Sequence, residues 1–173
     1  KHTLASSEYN VRRAQCEAGV AVVLRHVEGV ESLRDVTADM LDTYKGEMDE
    51  VVYRRCRYVV DENQRLLDAC AALEKGDYVT FGQKMNGSHE GLSRQYEVSC
   101  DELDFLADIG HRTDGVLGAR MMGGGFGGCT INLVRAEAYD GYLAEATDRF
   151  AHRFGHAPRV IEVNISQGAR RIG

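Results

Sequence analysis

Proline and tryptophan are nearly missing from this sequence: it has one proline, Pro158, and no tryptophan in 173 residues. With one proline and no Ser/Gly/Pro-rich tract there is no linker, so residues 1–173 read as a single domain. No apolar run approaches the roughly 18 to 20 residues of a membrane-spanning helix, which excludes a helical membrane protein. The opening Lys1-His2-Thr3-Leu4 is neither a signal peptide nor an amphipathic transit sequence. It is not an initiator Met either, so upstream residues are expected outside this sequence. Basic residues are outnumbered, 21 Lys and Arg against 27 Asp and Glu, for a net charge of −6. That balance argues against a nucleic-acid or anionic-membrane partner. The densest basic stretch, Arg54-Arg55-Cys56-Arg57, reads as a solvated helix face. The five cysteines, Cys16, Cys56, Cys70, Cys100 and Cys129, form no C-x-x-C pair and have no histidine at metal-ligand spacing. This predicts no metal site, and an unpatterned odd set suits a reducing cytoplasm.

What is present is ordinary for a folded domain: 43% hydrophobic and 28% charged residues. A helix is expected from about Ser7 to His26, capped by Ser6 or Ser7, with Glu8 in its first turn where the helix dipole favours an anion. Its predicted buried stripe is Val11, Ala14, Ala18 and Ala21 or Val22. A short helix follows around Thr37 to Tyr44. Val52, Cys56, Val59, Asn63, Leu66, Cys70 and Leu73 then recur at three- and four-residue steps, which predicts one apolar face over about six turns. On that face Cys56 and Cys70 act as small hydrophobes. A helix from Tyr78 to Tyr96 is weakened by Gly82, Gly87 and Gly91. Ser99-Cys-Asp-Glu102 has the form of a capping box for the next helix, with Leu103, Leu106, Ala107 and Ile109 inward.

After Val116-Leu117 the period changes. Thr130 to Val134 reads as a strand, and Tyr139, Leu143, Ala146, Phe150 and Phe154 mark an amphipathic helix. Ile161, Val163 and Ile165, alternating with Glu162 and Asn164, predict a half-buried strand. Helices first and β-loop-β-α-β afterwards predict an α+β domain with a small, mainly antiparallel sheet covered by helices.

Between the first two strands lies Gly118-Ala-Arg-Met-Met-Gly-Gly-Gly-Phe-Gly-Gly128. Gly123-x-Gly125-x-x-Gly128 is literally G-x-G-x-x-G, but a strand follows where a dinucleotide fold requires a helix. No Gly-Lys-Ser/Thr closes the cluster, which excludes the P-loop. Two readings stay open on spacing alone: a tight β connection, and a backbone-rich loop lining an anion or sugar site.

The same segment, running on through Cys129 and Thr130, resembles the third signature of the GHMP small-molecule kinases, closest to its galactokinase version. Ser6-Ser7-Glu8-Tyr9-Asn10-Val11-Arg12-Arg13-x-x-Cys16, Arg54 to Glu62, Ser88-His89 and Tyr96 to Asp104 are similar to further galactokinase segments in the same order. The resemblance implies the GHMP kinase C-terminal, ferredoxin-like fold. It also implies transfer of the ATP γ-phosphoryl group to the anomeric hydroxyl of α-D-galactose with Mg²⁺. The family's sugar-binding signature, phosphate loop and catalytic Asp belong to an N-terminal lobe, and none matches here. This chain is therefore expected to hold no catalytic residue, to need its own N-terminal domain, and to be inactive alone, with no ATP or Mg²⁺ bound.

Carried over residue by residue, Tyr9 is the substrate-binding tyrosine, and Gly123, Gly124, Gly125, Phe126, Gly127 and Gly128 form a loop bordering the cleft, with Phe126 wedged into the core. Arg120 faces either the phosphates or a nearby carboxylate. His89 beside Ser88 reads as structural. Met122 departs from the usual Thr, and Gly87 replaces a helix former. Two alternatives accompany galactokinase: another GHMP sugar kinase, such as an N-acetylgalactosamine kinase, and a galactose- and ATP-binding regulator without turnover.

Overall fold

The computed structural model describes the backbone of residues 2–163 and 168, and side chains from Glu8 onward. Helix α1, His2–Leu24, starts earlier than the serine caps predict. No glycine or proline interrupts residues 2–7, and a serine inside a helix costs only a few tenths of a kcal/mol. After α2, Ala38–Tyr44, and a single 3₁₀ turn comes the long α3, Glu50–Glu74, whose Asp49 cap accepts hydrogen bonds from the Val51 and Val52 N–H groups. These three helices enclose one core around Val23, Leu41 and Cys56, all fully buried, with Val30, Leu33 and Val36 from the connecting loop. Each buried Val or Leu there contributes about 1.5–3 kcal/mol.

The stripe predicted for α1 is rotated. Val11, Ala14, Ala18 and Ala21 face solvent, and Arg12, Cys16, Gly19, Val20 and Val23 face inward. The physical cause is twofold: Arg12 finds acceptors inside, and Gly19 admits the Cys56 side chain, which a Cβ at that position would overlap. On α3 the predicted face is inward only over the first turns, through Val52, Cys56 and Val59. Beyond Asn63, whose amide reaches the Leu33 carbonyl at 3.5 Å, Leu66, Cys70 and Leu73 are exposed. The three- and four-residue period marks one face of α3. It does not say how far along the helix the rest of the chain extends.

Helix α4, Tyr78–Arg94, is continuous through its three glycines. A Cβ at Gly82 would overlap the Leu117 carbonyl, and one at Gly91 would lie 2.5 Å from the Tyr58 ring. The two glycines therefore set how closely α4 approaches a strand on one side and α3 on the other. Gly87 meets only the Arg65 side chain, at 3.2 Å, and the helix does not break there.

Helix α5, Asp101–Arg112, buries Leu103, Ala107, Ile109 and Gly110. Its N-cap is Cys100 and has no side-chain cap hydrogen bond, so the predicted capping box at Ser99 does not form. The Ser99 hydroxyl is buried without a partner among the described residues.

Strands β1, Val116–Met122, and β2, Cys129–Val134, form an antiparallel hairpin. Its pairing runs from Val116 opposite Val134 to Met122 opposite Cys129, with an irregularity between Val116 and Gly118. The outer edge of β1 is hydrogen-bonded to side chains. The Ala119 N–H donates to Asn86 Oδ1 at 2.8 Å and the Met121 N–H to His89 Nδ1 at 3.1 Å, while His111 Nε2 lies 2.8 Å from the Ala119 carbonyl oxygen. Helix α6, Tyr139–Phe154, ends at left-handed Gly155. It covers α5 through Tyr142, Ala146 and the ring cluster Phe105, Phe150 and Phe154.

The architecture is the predicted α+β arrangement, mostly helical with a small antiparallel sheet. The strand predicted over 161–165 is not seen in its described part. Val160, Ile161 and Val163 are 48%, 61% and 71% exposed and unpaired, and residues 164 and 165 lie outside the described residues. Alternation marks two faces of an extended segment and does not by itself supply a partner strand.

Candidate functional site

The glycine loop, residues 123–128, joins the two strands, and its glycines have different reasons to be glycine. Gly123, Gly125, Gly127 and Gly128 have φ of +87°, +88°, +127° and +109°, a region that L side chains rarely adopt. Gly125 is also crowded, since a Cβ there would overlap the Val98 carbonyl oxygen. Gly124 has neither constraint. Among the described residues nothing lies within 4 Å of a Cβ at 123, 124 or 127, so the outer rim of the loop offers bare backbone to its surroundings. The inner side is anchored by Phe126. Its N–H donates to the Val98 carbonyl at 2.7 Å, and its ring packs beside Val98, Leu103 and Met121. Phe126 itself has φ +58°, an uncommon conformation for a bulky residue that this anchoring holds in place.

Tyr9 lies on α1 with 62% of its surface exposed. One turn further, Arg12 is buried and its guanidinium carbon lies 5.9 Å from the centre of the Phe126 ring. Helix α1, which carries Tyr9, therefore meets the loop through Arg12.

Arg12 was not singled out from the sequence. Its Nε and Nη2 donate to the carbonyls of Tyr96 and Glu97, each at 2.8 Å, and Nη1 to Glu8 at 2.9 Å. Arg55 of α3 donates to the same Tyr96 carbonyl and to the Glu97 carboxylate. Arg54 lies 3.2 Å from the other oxygen of that carboxylate. Glu97 adopts φ +54°, part of the turn that holds its own carbonyl and that of Tyr96 where Arg12 reaches both. The expectation that Arg54 to Arg57 form a solvated face is thus corrected for Arg55, whose side chain is 5% exposed. Burial, followed by the charge of Arg12, holds the Arg55 guanidinium below its ordinary pKa. The available sequence signal was the paired arginines inside two of the family segments.

Arg120 is turned toward Glu62, with Nη1 4.0 Å from that carboxylate and Nε donating to the Met121 carbonyl. Glu62 also accepts from Ser88 and Arg65. Arg120 therefore has a carboxylate partner, one of its two predicted roles. Met122, where the family has Thr, is 48% exposed at the end of β1.

His89 is buried, with Nδ1 accepting from Met121 and Nε2 3.2 Å from Asp104. Burial lowers its pKa from 6.5, opposed by the Asp104 charge. A folded pKa below the unfolded one means that the native state binds fewer protons, so this contribution to stability is lost as pH falls below about 6.5. Urea midpoints measured from neutral pH to about pH 5 should decline, and His89→Asn, whose Oδ1 can replace Nδ1, should flatten that decline.

An open cavity of about 660 Å³ between α4 and α5, lined by Gln83, Asn86, Glu90, Asp104 and His111 among others, includes neither Tyr9 nor any loop residue. Among the described residues no group of three or more His, Cys, Asp or Glu could hold a metal ion. No described helix is long and apolar enough to cross a membrane.

Residues 69–148 match the family model described as GHMP kinases C terminal. That span holds α4, α5, the hairpin and the glycine loop, and it is similar to the C-terminal part of the GHMP kinases. Within that class its similarity is to galactokinases. It is 38% identical over 174 residues to a galactokinase of Clostridium beijerinckii, covering 100% of this chain and 44% of that protein. It is 40% identical over 172 residues to a galactokinase of Thermotoga maritima, covering 99% of this chain and 47% of that one. Lactococcus lactis galactokinase, solved in complex with galactose, superposes with a TM-score of 0.82 at 33% identity, over 87% of this chain and 39% of that one. The chain thus spans about half the length of the curated relatives it matches.

Proposed function

We propose that this chain is the C-terminal part of a galactokinase, which transfers the ATP γ-phosphoryl group to the anomeric hydroxyl of galactose. The observation that carries this reading is the match to galactokinases along essentially the whole chain, with a galactose-bound relative among the similar structures. Tyr9, exposed on α1, donates its hydroxyl to the sugar. The open rim of the loop, Gly123, Gly124 and Gly127, borders the cleft, while Gly125, Phe126 and Gly128 fix its shape. ATP and Mg²⁺ are held mainly by the N-terminal domain, which also supplies the catalytic base. The exposed apolar row Val11, Ala14, Ala18 and Ala21 on α1 is a suitable surface for that domain to cover.

Two measurements test this. In the full-length protein, Tyr9→Phe should raise the KM for galactose about tenfold, the scale of one lost hydrogen bond, and leave the KM for ATP in place. An unchanged galactose KM returns Tyr9 to a packing role. The isolated chain should show no galactose-dependent ATP consumption, and turnover that survives purification to homogeneity overturns the division of labour between the two domains.

A further inference from the structure

We infer that Cys16 and Cys56 form an oxidisable thiol pair that a hydroperoxide closes to a disulfide, tying α1 to α3. The inference is independent of the proposed kinase activity. Cys56 is fully buried on α3 and lies directly against α1, where Gly19 leaves room for it; a Cβ at residue 19 would stand 3.4 Å from the Cys56 Cβ and overlap its sulfur. Cys56 Sγ is 3.8 Å from the Gln15 carbonyl oxygen and 3.9 Å from that of Cys16. The Cys16 Sγ is 3.6 Å from the Tyr96 hydroxyl.

The two thiols differ in access. Cys16 is half-buried, so a small oxidant reaches it, whereas Cys56 is enclosed and is reached through Cys16. They differ also in charge preference. The neighbouring Cys56 thiol, then the Tyr96 hydroxyl and the charge of Arg55, lower the Cys16 pKa against the opposing effect of burial, and the Cys56 pKa is raised in turn. A lowered, accessible thiolate is the form that peroxides attack. Cys70 and Cys129 are more exposed.

The chemistry balances. Cys16 thiolate attacks the peroxide oxygen, the O–O bond breaks, and an alkoxide leaves and takes up a proton, giving an alcohol and Cys16 sulfenic acid. The Cys56 sulfur then displaces the hydroxyl of the sulfenic acid as the S–O bond breaks. Overall the two thiols give up two electrons and two protons, and the hydroperoxide becomes one alcohol and one water.

The test uses the reduced wild-type chain treated with tert-butyl hydroperoxide, denatured, alkylated with N-ethylmaleimide and digested with trypsin without reductant. The expected product is peptide 14–25 joined to peptide 56–57, two hydrogens lighter than the sum of the free peptides, with loss of both alkylated forms. Dithiothreitol should restore both. In Cys16→Ser, Cys56 should stay fully alkylated after the same exposure. Recovery of both peptides separately alkylated from the wild type, or of Cys16 as sulfinic acid beside alkylated Cys56, overturns the inference. So does a peroxide-induced link that joins other cysteines and leaves this pair free.

Discussion

Replacing Gly82 with alanine is expected to destabilise the chain by about 3 kcal/mol, although alanine is the better helix former. Propensity alone would favour the change by about 1 kcal/mol. Packing opposes it more strongly. A Cβ at Gly82 would overlap the Leu117 carbonyl and stand 3.0 Å from the Gly118 nitrogen, and a Cβ at Gly118 would in turn stand 2.6 Å from the Gly82 carbonyl oxygen. Both neighbours are backbone, and β1 is held by its pairing with β2 and by Asn86 and His89. Neither can yield as a side chain would. Gly87→Ala is the matched control on the same helix. Its Cβ meets only the flexible Arg65 side chain at 3.2 Å, so its urea midpoint should equal or exceed that of the wild type. Equal midpoints for Gly82→Ala and the wild type would remove close backbone contact as the reason for this glycine.

The second large effect is at Arg12. Arg12→Met keeps most of the buried apolar stem but removes donors from the Tyr96 and Glu97 carbonyls and from Glu8. Hydrogen bonds to charged groups are worth about 1.5–3 kcal/mol each. The Tyr96 carbonyl retains Arg55, so the expected net loss is about 2–4 kcal/mol in urea unfolding. The matching change at Arg55 should not add fully. The two guanidinium groups share one acceptor, and each is unfavourable to the other's charge. A double-mutant cycle should therefore show a coupling of about 0.5–3 kcal/mol. Strict additivity would mean that the two arginines act separately.

These two residues also show where the sequence could be read and where it could not. Helix positions, the change of period at β1 and the hairpin around the glycine loop follow from local pattern, because the spacing of apolar residues is itself the cause of those elements. Arg12 was misplaced because an amphipathicity count treats arginine as polar. Its burial depends on a turn at Glu97 that is 85 residues away along the chain. Gly82 looked like a helix weakness for the same reason, since the strand that requires it is far off in sequence. The exposed half of the α3 stripe, Leu66 and Leu73, shows the reverse limit: a period identifies an apolar face without identifying what covers it. The role proposed for Tyr9 rests on resemblance, since an exposed tyrosine on a helix carries no chemical instruction of its own.

The side chains along the outer margin of β1 have a consequence for how this molecule meets others. Asn86, His89 and His111 take the place of a neighbouring strand, and they are carried by two packed helices that shield the backbone behind them. A strand from a second molecule would have to displace both helices before finding a donor or acceptor there. That margin is thus closed as a template for intermolecular β association, a protection that lasts only while α4 and α5 stay seated.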